Sequence, residues 1–566
     1  MSLLALALAA LAIGQEASPD EVDPYVRLSD AVCEAREPED PSPGSYGMDP
    51  ATGRFVHPDA TPHQEDPKPF EGELDLWDTN EYIENMTVEA YYPWVVEPFH
   101  TWQNIVDFGQ RRYLYQYVRR DLKIFDITDP KAAKVAYERG HPWGPDGPGE
   151  EINPYASDDM FGAASIMWNR ELGKLIMVQA FEIQRFGIIE DKRSEPDKVA
   201  QHRHAPHLKG FKVYEMGGPL PEEWTLVSQV TTDVLHPNAP IGAQEGSGVR
   251  DIPTYFGGHY MFVAAAPDAT YALTEYPTDL YSAGYQAWDM SRPDAPRFLG
   301  QFTAPGQRLG DEAAFRKNPR CGNRTSWFGA RMSIFVPTPV EEGGRYGYAA
   351  MGGLGLYVLD ISDPGNIKAV GHLSFPPSVA GTEGDNIDVS QVERTGIIYY
   401  SGYPLAEDCY EPYKDILMID VADRSNPRII GTLPRPTPPD DAPFTDFCQR
   451  RGSFGPKRSG YYTQPGTSRE GIVAYAFYNA GVQIFDVRDR NNPRIVAYFV
   501  PRFDTERVPE WARGNLAHGI YVEYDRNLVW LFTNHGFYCL STPVLGEPKL
   551  GPSDRPWPPR DGARTE

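Results

Sequence analysis

Apolar and polar positions in this chain alternate in short runs, and five stretches built from such runs repeat one another. They read LKIFDITDPKAAKVAYE (122–138), YQAWDMSRPDAPRFLGQF (285–302), LYVLDISDPGNIKAVGHL (356–373), LMIDVADRSNPRIIGTL (417–433) and VQIFDVRDRNNPRIVAYF (482–499). Each is an apolar strand with an Asp near its end, a polar turn usually holding Asp and Pro, and a second apolar strand. Repetition on this scale means one supersecondary unit laid down many times. Two further strands precede each stretch. In the first unit the four read NIVDF (104–108), RYLYQYV (112–118), LKIFDI (122–127) and KVAYE (134–138).

The second unit opens at GAASIMW (162–168), the third near GVRDIPTY (248–255), the fourth at GARMSIFV (329–336), the fifth at GDNIDVSQV (384–392) and the sixth around IVAYAFY (472–478). A last unit shows only GIYVEYD (519–525), LVWLFTN (528–534) and GFYCLST (536–542), so its fourth strand is missing. NMTVEAYYP (85–93), upstream of the first unit, is similar to the sixth unit's last strand, NPRIVAYFVP (492–501). A strand taken from before the first unit closes a circular array and removes an exposed sheet edge. The pattern predicts an all-β chain: a seven-bladed β-propeller of four-stranded antiparallel blades, closed by an N-terminal strand, with long loop insertions on one face.

The strands LYVLDISDP, IFDITDP and IFDVRDRNNP resemble the LVIVD repeat, a bacterial propeller repeat, over residues 85–545. Units two and seven depart from it, with Glu215 in one, and Leu540 or Ser541 in the other, where the strand-end Asp is expected. The resemblance implies a propeller exported from the cytoplasm and says almost nothing about chemistry.

Composition narrows the rest. The chain has 566 residues and a formal net charge of −26, which excludes nucleic acid as a partner because phosphate neutralisation needs a Lys/Arg surface. Residues 1–17, with an apolar run from Leu3 to Ile13 that no Lys or Arg precedes, read as a secretory signal, so a periplasmic or secreted location is expected. Residues 18–70, rich in Asp, Glu and Pro, read as an irregular arm, 71–550 as the propeller and 551–566 as a disordered tail. No integral membrane segment is expected after signal cleavage. Five cysteines form no CxxC pair, and Cys409 with Cys448 is the disulfide to test first.

The repeated strand-end acids, such as Asp126 with Asp129 and Asp360 with Asp363, tempt a metal reading. An Asp opening a turn accepts hydrogen bonds from backbone two residues on, and a device repeated in nearly every unit is structural.

Chemistry is expected where first strands reach the mouth of the central channel. Aligning them puts His100 and Trp102, Arg250, Arg331, Glu383 and Asp385, and His518 there, and His535 is a further candidate from the turn of the last unit. Two readings stay open: a site, or polar residues that merely hydrate a channel. A separate cluster, His202, His204 and His207 in HRHAPH, has spacing that suits a divalent transition metal, although Arg203 and Lys209 oppose a cation there. No nucleophile elbow, P-loop, dinucleotide fingerprint or CxxCH is present. The function expected is binding of a small-molecule ligand or another exported protein at the loop-covered mouth. The alternative is an enzyme, a lyase or hydrolase on a carbohydrate or aromatic compound, using channel His and carboxylate residues with or without a metal.

Overall fold

The computed structural model describes residues 48–49, 54–55, 77–93, 101–118, 121–139, 164–182, 209–231, 249–265, 284–305, 329–330, 332–352, 354–374, 382–404, 413–460, 469–509 and 513–546. The expected signal, nearly all of the arm, and the tail lie outside them. Among the described residues no helix is long and apolar enough to cross a membrane.

Seven antiparallel sheets follow one another around a ring as the blades of a propeller. Blade 1 spans Thr101–Arg139, blade 2 Ala164–Thr231, blade 3 Val249–Phe302, blade 5 Thr382–Thr432 and blade 6 Arg458–Val500. Blade 4 has three regular strands within Tyr346–Leu373, and Phe335 takes the inner position through paired 2.9 Å backbone bonds with Tyr348. Blade 6 starts on Arg458–Ser459, ahead of the IVAYAFY strand where the hydrophobic pattern placed it, because that inner strand is two residues long and polar.

Blade 7 is closed as expected. Strands Ala517–Glu523, Leu528–Thr533 and Gly536–Ser541 are completed by Thr87–Pro93, which pairs antiparallel with Gly536–Ser541. One detail shows that the N-terminal strand is equivalent to the others. In all seven blades the register between third and fourth strands slips by one residue at the same place, as between Ile124 and Phe125, Val358 and Leu359, and Ile484 and Phe485. Blade 7 slips between Cys539 and Leu540, so the borrowed strand carries the same bulge. A second N-terminal strand, Tyr82–Glu84, adds a fifth strand to blade 6 against Tyr498–Val500. The repeat pattern gave no sign of it, since three residues are too few to show a period.

Facing blades bury apolar side chains between them. At the closure, Leu114 and Phe125 of blade 1 pack with Trp530, Phe532 and Phe537 of blade 7. Around the ring, polar side chains bond across to the neighbouring blade: Asn104 Nδ2 donates to Ala164 O at 2.7 Å, Ser165 Oγ to Tyr255 O at 3.0 Å, and Thr254 Oγ1 to Ile334 O at 2.7 Å. These bonds satisfy buried polar groups that a channel-lining position leaves without water.

The strand-end acids are structural. Asp126 accepts from Thr128 N, Asp289 from Ser291 N, Asp360 from Ser362 N, Asp420 from Ala422 N and Asp486 from Arg488 N, all at 2.9–3.1 Å. An arginine from the facing strand or turn adds an ion pair in each, as Arg345 does to Asp360 at 2.8 Å.

A four-strand meander puts its first and third turns on one face, and its second turn and the link to the next blade on the other. The strands bracketing residues 183–208, 266–283 and 405–412 end and begin at the second of these faces. That face is also where each inner strand starts, so these strand ends lie on the same face as the channel mouth.

Candidate functional site at the channel mouth

Three inner strands break their ladders at this face. In blade 3 the pairing slips between Arg250 and Thr254, in blade 5 between Thr382 and Asn386, and in blade 7 between Ala517 and Gly519. A bulge re-aims a side chain that regular pleating would send elsewhere. The last two hold Asp385 and His518. Gly384 is required in the blade 5 bulge, because a Cβ there would lie 1.6 Å from the Tyr400 hydroxyl.

Asp385 is fully buried and meets two cations from blade 6. Arg458 Nη1 donates to Asp385 Oδ2 at 2.9 Å, and Lys457 Nζ lies 4.0 Å from the same oxygen. Lys457 Nζ also sits 3.3 Å from the centre of the Tyr403 ring, a close cation–π contact. Arg458 Nη1 reaches Met332 Sδ of blade 4 at 3.2 Å, and Ser459 N donates to Asn386 Oδ1 at 3.1 Å. Blades 5 and 6 thus meet at one carboxylate, and blade 4 touches the arginine that bonds it.

His518 stands on the next inner strand, with its ring buried. Neither Nδ1 nor Nε2 has a hydrogen-bond partner. Burial, and then the positive charge of Lys457, push its pKa down to about 4, against an opposing pull from the backbone at Asn515 and with a smaller push from Arg458. The imidazole is neutral at ordinary pH. Beside it, the amide of Gln103 from blade 1 packs over Gly519, where an added Cβ would stand 3.0–3.2 Å from its nitrogen and oxygen.

Of the residues expected at the mouth, Asp385 and His518 lie buried in the irregular stretches of the blade 5 and blade 7 inner strands. Arg250 and Glu383 lie on the irregular inner strands of blades 3 and 5, while His100 and Arg331 lie outside the described residues. His535 is elsewhere: Nδ1 is 2.8 Å from the Tyr91 hydroxyl on the outermost strand, and Nε2 is 2.9 Å from Arg502 O. Both nitrogens are occupied, Nδ1 by the borrowed strand and Nε2 by the backbone that follows blade 6. The cluster His202, His204 and His207 is outside the described residues, among which no three His, Cys, Asp or Glu side chains gather as a metal site.

Lys457 and Arg458 are the buried charged residues beside Asp385 that the sequence pattern missed. The signal was the adjacent basic pair in GPKRSG, two charges on a strand too short and polar to register as one.

No protein-family model matches the chain, and no curated protein matches it either. Among solved structures it is similar to a candidate 6-phosphogluconolactonase from Bacteroides fragilis at 9% identity and TM-score 0.36, covering 76% of this chain and 90% of that one. A protein from Lactobacillus plantarum is similar at 10% identity and TM-score 0.37, covering 74% and 84%. Another, of unknown function, from Desulfotomaculum acetoxidans is similar at 10% identity and TM-score 0.34, covering 70% and 84%. Likeness at this level carries no argument about chemistry.

Proposed function

We propose that this chain is an exported propeller of the LVIVD-repeat type that binds a small molecule at the loop-ringed mouth of its channel. One observation carries the reading. Two cations, a carboxylate and an unpartnered imidazole are buried together, on inner strands whose ladders are broken there. Buried polar groups are ordinarily satisfied, and a bare pair of ring nitrogens costs about 1–3 kcal/mol per group unless something completes them. A ligand entering from the mouth is the natural completion. Small-molecule binding is favoured over a protein partner because the converging groups sit below the surface, where a flat partner does not reach.

Acid–base catalysis has less support from the geometry. Asp385 is engaged by Arg458, and no group orients the His518 ring by a hydrogen bond. The test is a thermal-shift screen of the full chain against neutral and charged metabolites, repeated on His518→Gln and Asp385→Asn. The expected outcome is at least one stabilising compound whose effect both substitutions reduce tenfold or more. Stabilisation indifferent to both substitutions overturns the placement of the site.

A further inference from the structure

We infer that Trp77 and Asp78 are a latch: they clamp together the two loops that lead into the Lys457–Arg458 and His518 strands, and their release opens both loops and exposes His518. The consequence for binding rests on the mouth site proposed above, whereas the latch contacts stand without it. Both loops link one blade to the next, so both lie on the mouth face. Residues 433–457 join blade 5 to blade 6 and end at Lys457, next to Arg458 on the inner strand. Residues 501–509 and 513–516 lie between blades 6 and 7 and lead into Ala517 and His518.

Each latch residue touches both loops. Two guanidiniums lie over the Trp77 ring, Arg451 of the first loop at 4.8 Å and Arg513 of the second at 5.7 Å from its centre. The same ring meets Phe503 of the second loop edge-on at 4.9 Å. Asp78 sets its carboxylate 3.3 Å from Arg450 Nε of the first loop, and its carbonyl accepts from Phe503 N at 2.9 Å. Arg450 crosses between the loops as well. Its guanidinium donates to Asn479 O in the blade 6 turn and to Pro501 O at the start of the second loop, and lies 4.7 Å from the Phe503 ring centre.

Electrostatics make the clamp depend on the N-terminal residue. The Arg450 side chain is fully buried, and burial pushes its pKa down to about 10 against the pull of the Asp78 charge. The guanidinium is charged at neutral pH, and a buried charge that loses its counter-ion is costly to keep in place. The first loop has little else to fix it. Between Thr432 and Arg458 it forms one short 3-10 turn, Phe447–Gln449, and no strand. Gly452 and Gly455, at φ 93° and 157°, give it points at which to bend. The loops meet directly through Ser453 N and Gly514 O at 2.9 Å. Segments with few ladder bonds open well below the cost of global unfolding, and a shared clamp turns two such openings into one event.

The experiment is hydrogen–deuterium exchange on the full chain, comparing wild type with Trp77→Ala and Asp78→Asn. Diethyl pyrocarbonate, which acylates neutral imidazole, reports access to His518 in the same three proteins. The expected result in both variants is exchange about tenfold faster or more in 447–456 and in 501–516 together, with His518 acylated faster by a similar factor. Protection of Leu528–Thr533 in the blade 7 core stays unchanged. Faster exchange in one loop alone, or in neither, overturns the latch. Faster exchange in both loops with His518 no more reactive overturns the control of the mouth. If Asp78→Asn also loosens Leu528–Thr533, Trp77→Ala, which keeps the Asp78–Arg450 pair, decides by the same criteria. A thermal-shift screen without a hit would remove the mouth site and leave the exchange result standing, because neither probe needs that site's ligand.

Discussion

Arg112 of blade 1 grips Asp525 of blade 7 with two hydrogen bonds, Nη1 to Oδ1 at 3.0 Å and Nη2 to Oδ2 at 2.7 Å, across the seam where the ring closes. The same guanidinium bonds Asp107 at 2.6 and 3.0 Å, and Glu523 lies 3.5 Å away. Arg526 completes the group by bonding Glu523 at 2.6 and 2.7 Å and donating to Ile127 O at 2.8 Å. Burial works against the charge on Arg112, yet the bonds to Asp107 and Asp525 hold its pKa above the usual value. The seam therefore joins an apolar upper part around Trp530 to an ionic lower edge.

Removing one partner of such a buried network strands the others. Arg112→Ala removes the guanidinium that Asp107 and Asp525 share, and a loss of about 3–5 kcal/mol in unfolding free energy is expected. Asp525→Asn keeps the shape and an acceptor and should cost less. Chemical denaturation of both variants checks the order, and equal stability of Arg112→Ala and wild type would falsify the ionic closure.

Asp388, at the far end of the blade 5 inner strand, is buried, and burial pushes its pKa up to about 6 against a weaker pull from the Ser390 hydroxyl and N–H. Its folded pKa exceeds the unfolded value of 3.8, so the native state holds the extra proton between about pH 4 and 6. The contribution is fully present below the unfolded pKa and is lost as pH rises through the folded one. Ionising the buried carboxyl costs about 3 kcal/mol at neutral pH, taking ~1.4 kcal/mol per pH unit. Asp388→Asn should therefore stabilise the protein at pH 8 and change little at pH 4. His518 and His535 run the other way, because their pKa values fall to about 4 and the unfolded chain binds more protons below 6.5. Stability is lost as pH falls from about 6.5 to 4, and more steeply in Asp388→Asn. Melting curves from pH 4 to 8 on both proteins test this, and parallel curves would exclude Asp388 as the source.

The two described cysteines differ in state. Cys448 is disulfide-bonded, and Cys409, proposed as its partner, lies outside the described residues. Cys539 is a free thiol, buried, and burial raises its pKa to about 12. It should resist thiol reagents in the native state and react at once in denaturant. Peptide mapping without reduction is expected to recover Cys448 joined to Cys409. Recovery of Cys448 with Cys33 or Cys321 would reassign the bridge.

The architecture was legible because each blade repeats a period-two pattern with an Asp-opened turn, and repetition makes a weak local signal strong. Even the borrowed strand was visible, since Thr87–Pro93 has the same apolar spacing as its counterparts. Of the candidate site, only strand positions were legible. Asp385 and His518 stand where the aligned strands put them. Arg458–Ser459 carries no apolar pattern and escaped notice. The direction of His535 was not legible, because a turn residue beside the channel is indistinguishable in sequence from one turned outward; Tyr91, 444 positions away, and Arg502 O hold its ring.

That long-range contact makes the N-terminal segment the most exacting test of the fold. Trp77–Pro93 does three things at once. Thr87–Pro93 closes blade 7, Tyr82–Glu84 extends blade 6, and Asp78 meets the buried guanidinium of Arg450 at 3.3 Å. Its side-chain anchors reach blades 7 and 1: Glu89 bonds Ser541 at 2.6 Å and pairs with Lys131 of blade 1 at 2.5 Å, and Tyr91 bonds His535. Deleting residues 1–76 leaves every one of these contacts intact, so that protein should melt close to the full chain. Deleting residues 1–93 uncovers the edge of Gly536–Ser541, and an unpaired edge recruits other strands. The shorter protein should associate or aggregate, and Cys539 should become reactive without denaturant. A synthetic peptide of residues 77–93, added in trans, should restore the monomer and protect the thiol, because strand addition needs backbone pairing and not chain continuity. Light scattering and thiol titration read both effects. A 1–93 deletion that stays monomeric with Cys539 protected would mean that the ring closes without its borrowed strand.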